Sequence, residues 1–189
     1  MLSMRKEKHR LCPVERAGGL DSKIRRWIQN PRNILKSYIK EGMTVLDVGC
    51  GPGFFSTEMA GMVGTSGRVI AVDLQDGMLQ KVKAKIQGTE LEKRITLHKS
   101  DKKRIGLSDK VDFVLAFYVV HELLNQNDFF EELKTILKPK GKVLIVEPLF
   151  IVKKAEFNEM TKKAGEVGFA SFKGPRIFWG KTLLLEKSS

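Results

Sequence analysis

The chain has 189 residues, enough for one domain with a sizeable core. Hydrophobic residues make up 42% and charged residues 30%, a globular balance that excludes a disordered chain, and no apolar run approaches the ~20 residues that cross a bilayer. The net charge of +12 attracts anions such as nucleic acid, acidic metabolites and anionic lipid, yet the lysines are spread through KVKAKI, ELKTILKPKGK and IVKKAEF, which reads as solvated helix faces rather than a binding stripe.

The first segment, Met1 to about Pro31, is polar and basic, with turn signals at Cys12-Pro13 and Gly18-Gly19. It lacks the apolar stretch of a secretory signal, so a cytoplasmic location is expected. Asp21 is suited to cap a short helix running to Trp27. Pro31 suits the first turn of a second helix, with Ile34, Leu35, Tyr38 and Ile39 on one apolar face and Gly42 at its end. Strand and helix then alternate. Strands are expected at Thr44–Val48, Arg68–Asp73, Arg94–His98, Val111–Phe117 and Lys142–Glu147. Helices are expected at Phe54–Val63, Asp76–Gln87, Asp128–Leu137 and Lys154–Val167. The stretch Asp101 to Lys110 is too polar and basic to read as a helix. Two late strands, near Ala170–Lys173 and Thr182–Glu186, are joined by GPRIFWG. Such alternation predicts an α/β fold with a mostly parallel sheet covered by helices on both faces. Its ligand crevice lies at the carboxyl ends of the strands.

Cys12 and Cys50 are expected to be free thiols, because a crosslink at Cys50 would distort a glycine-rich turn. His9, His98 and His121 lie far apart, and no Cys or His cluster has the spacing of a zinc site, so no metal is expected.

The chemistry-bearing pattern starts at the first strand. It ends at Asp47 and turns through Gly49, Cys50, Gly51 and Gly53, where glycine permits unusual dihedrals and close approach of a ligand to the main chain. The following helix offers free backbone N–H groups. The second strand ends at Asp73, twenty residues past Gly53, where a carboxylate can accept hydrogen bonds from both hydroxyls of a ribose. A dinucleotide fingerprint reads G-x-G-x-x-G; here the pattern is G-x-G-x-G, and Phe54 stands where the last fingerprint glycine would be. A carboxylate at Asp47 would repel a diphosphate and suits the cationic amino group of a methionine tail. The turn therefore points to S-adenosylmethionine (AdoMet) rather than to a dinucleotide.

At these residues the chain resembles the class I AdoMet-dependent methyltransferases. VLDVGCGPGF, Val45 to Phe54, is similar to their first motif; AVDLQDGML, with Asp73 and Leu74, to their second; HKSD, ending at Asp101, to their adenine site; VDFVLAFYVVHEL and LKPKGKVLIVEP to their fourth- and fifth-strand motifs. The likeness covers about Ile34 to Glu186 and is nearest the group that includes ubiquinone/menaquinone and arsenite methyltransferases. It implies a three-layer Rossmann-like sandwich of seven strands in order 3-2-1-4-5-7-6, the last antiparallel. It divides the chain into a cap or lid over residues 1–31 and a methyltransferase domain over 32–189. It implies that AdoMet is held by Asp47, Gly49, Cys50, Gly51, Gly53, Asp73, Leu74, Met78, Asp101, Lys102 and Phe117, with Asp73 on the ribose, Leu74 beside the adenine, Asp101 on the adenine amine and Phe117 forming a wall. Two positions depart from the pattern. Lys140-Gly141 replaces the usual Gly-Gly turn, and Lys102-Lys103-Arg104 replaces a small residue followed by an apolar-Pro stretch.

Methyl transfer from a sulfonium is an in-line displacement, so the protein positions the acceptor, excludes water and supplies a base only where a proton must leave. The candidates follow the fourth strand. His121 has a side chain suited to a general base near neutral pH, against the more ordinary role of capping or bracing the next loop and helix. Tyr118 suits orienting an acceptor or packing; Glu122 reads as a helix-start residue. Cys12 reads as a lid thiol or an inert one, and two cysteines are too few for a three-thiolate metalloid site. Trp27, Phe150 and Trp179 suit an aromatic pocket or core packing, and Arg25 and Arg26 an anionic acceptor or a solvated helix. The leading expectation is a small-molecule methyltransferase. RNA or protein methylation is the alternative within the same chemistry; the fourth strand lacks the Asn/Asp-Pro-Pro-aromatic motif for base amines, so nucleic acid is not the favoured partner. A non-catalytic AdoMet-binding or partner-binding subunit is the alternative of another class, and a homodimer stays open as the assembly.

Overall fold

The structure, a computed structural model, describes residues 28–187. In chain order these are α1 (Pro31–Leu35), β1 (Thr44–Val48), α2 (Ser56–Val63), β2 (Arg68–Asp73), α3 (Asp76–Ile86), β3 (Ile95–Lys99), β4 (Val111–Phe117), a 3-10 turn (Val120–Glu122), α4 (Gln126–Ile136), β5 (Leu137–Pro148), α5 (Lys154–Val167), β6 (Phe169–Lys173) and β7 (Gly180–Lys187). The strands form one seven-stranded sheet in the order β3-β2-β1-β4-β5-β7-β6, with β7 antiparallel to both β5 and β6 and the other pairs parallel. This is the order the resemblance implies.

Alternation along the strands sends side chains to two separate cores. On one face Val45, Val69, Phe113 and Leu115 pack against Leu35 of α1, Met59 and Val63 of α2, and Val82 and Ile86 of α3. On the other face Leu46, Ile70, Val114 and Ile145 pack against Phe130 and Leu133 of α4 and Met160 and Ala164 of α5. Each fully buried Leu, Val, Ile or Phe side chain contributes about 1.5–3 kcal/mol relative to leaving it in water. The helices before β3 thus cover one face and those after β4 the other.

Several boundaries differ from the sequence expectation by a few residues. α1 stops at Leu35, and the turn that follows lets the Tyr38 ring stack on Phe113 at 5.6 Å. α2 begins at Ser56, because Phe54 and Phe55 are buried in the preceding turn. β3 is shifted one residue to Ile95–Lys99. α4 begins two residues early, at Gln126, where the Asn125 side chain accepts the Asn127 and Asp128 N–H groups. The helix expected at Asp21–Trp27, together with Cys12, Arg25, Arg26 and Trp27, lies outside the described residues.

The largest difference is in β5. Leu137 already pairs with Val111, and the next paired position is Phe113 with Lys142, so residues 138–141 bulge out of one strand. Gly141 is needed there for space, since a Cβ would sit 2.7 Å from Leu137 Cδ2 and 2.8 Å from the Lys138 carbonyl. Lys140 adopts φ +62°, a left-handed conformation, at the position where the resemblance implies glycine. Lys140→Gly should therefore stabilise the fold by about 1 kcal/mol and raise the thermal midpoint by about 2–4 °C. A midpoint that is unchanged or lower in calorimetry would contradict strain at this turn.

Candidate functional site

The chain leaves β1 toward one side of the sheet and β4 toward the other, so the loops after these adjacent strands diverge and open a crevice. A cavity of about 620 Å³ fills it. Of the cofactor and catalytic residues singled out in the sequence, all but Gly53 line this cavity.

The turn after β1 is shaped by two glycines with different duties. Gly49 (φ +67°) lies so close to Val119 that a Cβ would come within 2.7 Å of its Cγ2. Gly51 (φ +53°) has nothing within 4 Å of its Cβ position, which leaves its backbone open to the cleft. The Gly51 N–H donates to Asp73 Oδ2 at 2.9 Å, and the Gln75 N–H donates to Asp73 Oδ1 at 2.8 Å. Burial pushes the Asp73 carboxyl above its ordinary range, although backbone N–H groups of Gln75, Gly51 and Leu74 oppose the shift. Gly53 packs on Val82, 3.1 Å from its Cβ position, so glycine there serves helix packing rather than the open approach expected for it. Lys85 of α3 secures the same turn by donating to the Pro52 carbonyl at 2.6 Å.

Asp47 is buried at the end of β1 and accepts the Ser56 hydroxyl at 2.5 Å. Cys50 is a buried free thiol. Burial, joined by the charges of Asp47 and Asp73, pushes it well above the usual thiol range, which makes it unreactive. Leu74 and the fully buried Met78 complete the wall on the β2 side.

The loop after β3 folds on itself at the edge of the cavity. Asp101 is exposed, and its Oδ1 accepts the N–H groups of Lys103 (2.7 Å) and Arg104 (2.9 Å), which hold its carboxyl below the ordinary value. The carboxylate expected to face an adenine amine thus has its Oδ1 engaged in its own loop while the residue lines the cavity. Lys102, Lys103 and Arg104 are exposed along the rim, and Glu132 holds the loop's far end through the Ile105 and Gly106 N–H groups (2.7 and 2.6 Å).

The β4 end forms the opposite wall. Phe117 packs between Phe55 (4.5 Å) and Tyr118 (4.4 Å). Tyr118 takes φ +62°, and its backbone N–H donates to Val146 at 2.7 Å. Its hydroxyl accepts from Gln29 Nε2 at 2.9 Å and donates to the carbonyl of Trp179, itself at φ +60°. His121 follows in the 3-10 turn. Its Nδ1 meets Glu147 Oε2 at 2.5 Å and its backbone N–H donates to Oε1 at 3.2 Å. Glu147 closes β5 and is fully buried. A carboxylate only accepts, so Nδ1 carries the hydrogen and Nε2 is left as the ring's second nitrogen. Burial of the imidazole disfavours its charge, but the Glu147 hydrogen bond and charge, with Glu122 and Glu156 adding, raise its pKa overall.

Gln29, Ser56 and Glu147 were not singled out in the sequence. Glu147 has a legible signal, an acid closing the apolar run VLIVE; the other two have none. Phe150 and Trp179 are 80% and 52% exposed and belong neither to the core nor to the cavity lining. Among the described residues no group of three His, Cys, Asp or Glu is placed to hold a metal, and no helix is long and apolar enough to cross a membrane.

A family model described as "Methyltransferase domain" matches residues 39–177. Demethylmenaquinone methyltransferases of Lactobacillus johnsonii and Bacillus cereus are 34% identical over 113 residues and 28% identical over 109 residues. These matches cover 59% and 58% of this chain and 46% of each relative, so the chain spans about half the length of the curated relatives it matches. A SAM-dependent methyltransferase from Aquifex aeolicus superposes with a TM-score of 0.81 at 28% identity, covering 93% of this chain and 98% of that chain. TrmN from Thermus thermophilus superposes with a TM-score of 0.67 at 22% identity, covering 84% and 48%, which shows a shared fold.

The His121–Glu147 pair makes a measurable demand. The ring should titrate above the ordinary value of about 6.5 in NMR, and Glu147→Gln should lower its pKa, since burial then loses its main opponent. Because the folded pKa is raised, the pair's contribution to stability is complete below the unfolded value and is lost as the pH rises through the folded one. A His121 pKa indifferent to Glu147→Gln would contradict the pairing.

Proposed function

The chain belongs to the methyltransferase domain family, of the class I AdoMet-dependent type, and on that premise we propose that it methylates a small-molecule acceptor held between His121 and Tyr118, with His121 as the base. The observation that carries this reading is the His121 ring on the wall of the cleft, its Nδ1 held by the buried Glu147 carboxylate at 2.5 Å. A histidine held in this way keeps one tautomer and one orientation, which a base needs and a solvent-facing histidine lacks. The names of the relatives, demethylmenaquinone methyltransferases, support a small acceptor, although they match this chain over less than half of their length.

The residues present fit AdoMet. Asp73 accepts the Gly51 and Gln75 N–H groups and has room for more, since an ionised carboxylate offers about four lone-pair sites. Its raised carboxyl marks an acceptor that the protein alone does not fully compensate. In the proposal, Asp73 takes the ribose hydroxyls, the open Gly51 backbone admits the cofactor, Asp47 faces the amino group of the methionine tail, and Leu74 and Met78 cover the adenine. Phe117 is the wall beside the reacting end. Gly49 and Gly53 shape the turn, the first against Val119 and the second against Val82. Asp101 and Lys102 stay in the proposal as rim residues, outside the direct adenine contact. When bound, AdoMet supplies an electrophilic methyl group.

The chain's own residues do the rest. Tyr118, braced by Gln29 and the Trp179 carbonyl, orients the acceptor. His121 takes the proton that the acceptor's nucleophilic atom sheds, and Glu147 stabilises the imidazolium that forms. The aromatic wall of Phe55, Phe117 and Tyr118 excludes water. Gln29 also donates to the Phe178 carbonyl at 3.3 Å. A cap over residues 1–31 stays part of the proposal.

Titration calorimetry with AdoMet, followed by an acceptor screen with labelled AdoMet that includes demethylmenaquinol analogues, tests the proposal. Asp73→Ala should weaken AdoMet binding at least about tenfold, the loss of charged hydrogen bonds. His121→Asn should leave that affinity near wild type and lower kcat about 10²–10⁴-fold. In the wild type kcat should rise with pH through the raised His121 pKa. Unchanged AdoMet affinity in Asp73→Ala would move the cofactor elsewhere; full turnover in His121→Asn would remove the base; AdoMet binding without turnover of any acceptor would favour a binding subunit.

A further inference from the structure

The carboxyl end of the sheet carries an apolar surface that the cleft chemistry does not use. The turn after β5 exposes Leu149, Phe150 and Ile151 by 44%, 80% and 66%, and the loop between β6 and β7 exposes Phe178 and Trp179 by 56% and 52%. The two loops form one patch. The Phe150 and Trp179 rings lie 6.4 Å apart, those of Phe178 and Trp179 lie 4.6 Å apart, and the Leu149 N–H donates to the Trp179 carbonyl at 2.8 Å. Leu124, 56% exposed, and Ile151 carry the surface to the edge of the cavity. The turn is a built feature: Val152 is buried beneath it, its N–H donates to Pro148 at 3.1 Å, and the Lys181 ammonium donates to the Leu149 and Val152 carbonyls. A contiguous cluster of large apolar side chains turned to solvent marks a docking surface.

Charge says what docks. Lys153 and Lys154 follow the Leu149–Ile151 turn after the buried Val152, Arg176 lies two residues before Phe178, and all three cations are exposed. Across the mouth stand Lys102, Lys103 and Arg104. The nearby acids are engaged locally: Glu156 accepts the Lys153 N–H at the start of α5, Asp101 holds its own loop, and Glu122 lies in the half-buried cleft wall. Aromatic and aliphatic tips ringed by lysine and arginine match an anionic bilayer, where the tips enter the acyl boundary and the cations meet lipid phosphates. Single-stranded nucleic acid would stack on Phe150, Phe178 and Trp179 but leave the exposed aliphatic tips of Leu124, Leu149 and Ile151 unmatched. A second copy fits less well too, since a two-fold interface would set the same positive rim against itself.

We infer that this end of the molecule docks on an anionic lipid surface and sets the mouth of the cleft against the bilayer. The docking is independent of which acceptor is methylated, and its test reads binding instead of turnover. The full chain is mixed with vesicles of phosphatidylcholine alone and of phosphatidylcholine with phosphatidylglycerol, and binding is followed by co-sedimentation and tryptophan fluorescence. Binding to the anionic vesicles, a blue shift of the emission, loss of binding at high salt and little binding to neutral vesicles are expected. Phe150→Asp should weaken binding at least about tenfold, and Lys153→Gln with Lys154→Gln about tenfold. Both variants should keep wild-type thermal midpoints and AdoMet affinity, which separates failure of docking from failure of the methylation reading. Absence of binding to anionic vesicles, or undiminished binding by Phe150→Asp, would overturn the inference. So would a solution dimer that buries Trp179, or an RNA oligonucleotide that outcompetes the vesicles at equal charge.

Discussion

Asp73 closes β2 with a carboxylate that accepts the Gly51 N–H on one side and the Gln75 N–H on the other. One side chain therefore ties the turn after β1 to the turn after β2, and sets how the open backbone of Gly51 faces the cleft. Hydrogen bonds to a charged acceptor are worth about 1.5–3 kcal/mol each, yet burial still holds this carboxyl above its ordinary range. The protein alone leaves the charge under-compensated. Such a group is costly as architecture and useful as a receptor for hydroxyl donors, because a ligand that donates to it relieves the burial cost. The packing around the turn follows from the same placement: Gly49 has no room for a side chain against Val119, Gly53 has little against Val82, and Ser56 opens α2 with its hydroxyl on Asp47.

The opposite wall stores its cost in backbone conformation. Tyr118 and Trp179 both sit in the left-handed region, and each touches the other through the Tyr118 hydroxyl and the Trp179 carbonyl. Strain of this kind, of order 1–3 kcal/mol per residue, persists where surrounding bonds over-determine it. Here Val146 and Gln29 supply those bonds. Beside them Glu147 is buried with its charge spent on His121, so the one histidine on this wall has a defined orientation. In the proposed reading the cleft thus has a ligand-receiving side built on Asp73 and a reacting side built on the His121–Glu147 pair.

Much of this frame was legible in the chain. The run Val45–Val48, the acid at Asp73 and the glycine spacing placed β1, β2 and the crevice between them, because strand ends and glycine turns are written locally. The strand order needed the family likeness, since periodicity says nothing about neighbours. What was hidden depends on contacts distant in sequence. Residues 138–141 bulge from β5 only because Leu137 and Lys142 pair with β4 on either side of the excursion. Gln29 reaches Tyr118 across 89 positions, and Glu147 reaches His121 across 26. Asp101 reads as an inward-facing acid by its place after β3, and the turn in which its Oδ1 accepts the N–H groups of Lys103 and Arg104 carries no signal in the sequence. The exposed Phe150 and Trp179 show the converse, since aromatic residues in a sequence carry no sign of which face they meet.

A crystal structure with S-adenosylhomocysteine tests the central claim most directly. The account predicts both ribose hydroxyls within hydrogen-bond distance of the Asp73 carboxylate, the tail over Gly51 and the sulfur facing the His121 and Tyr118 wall. A ligand seated elsewhere, or one bound with Asp73 still facing only Gly51 and Gln75, would contradict it.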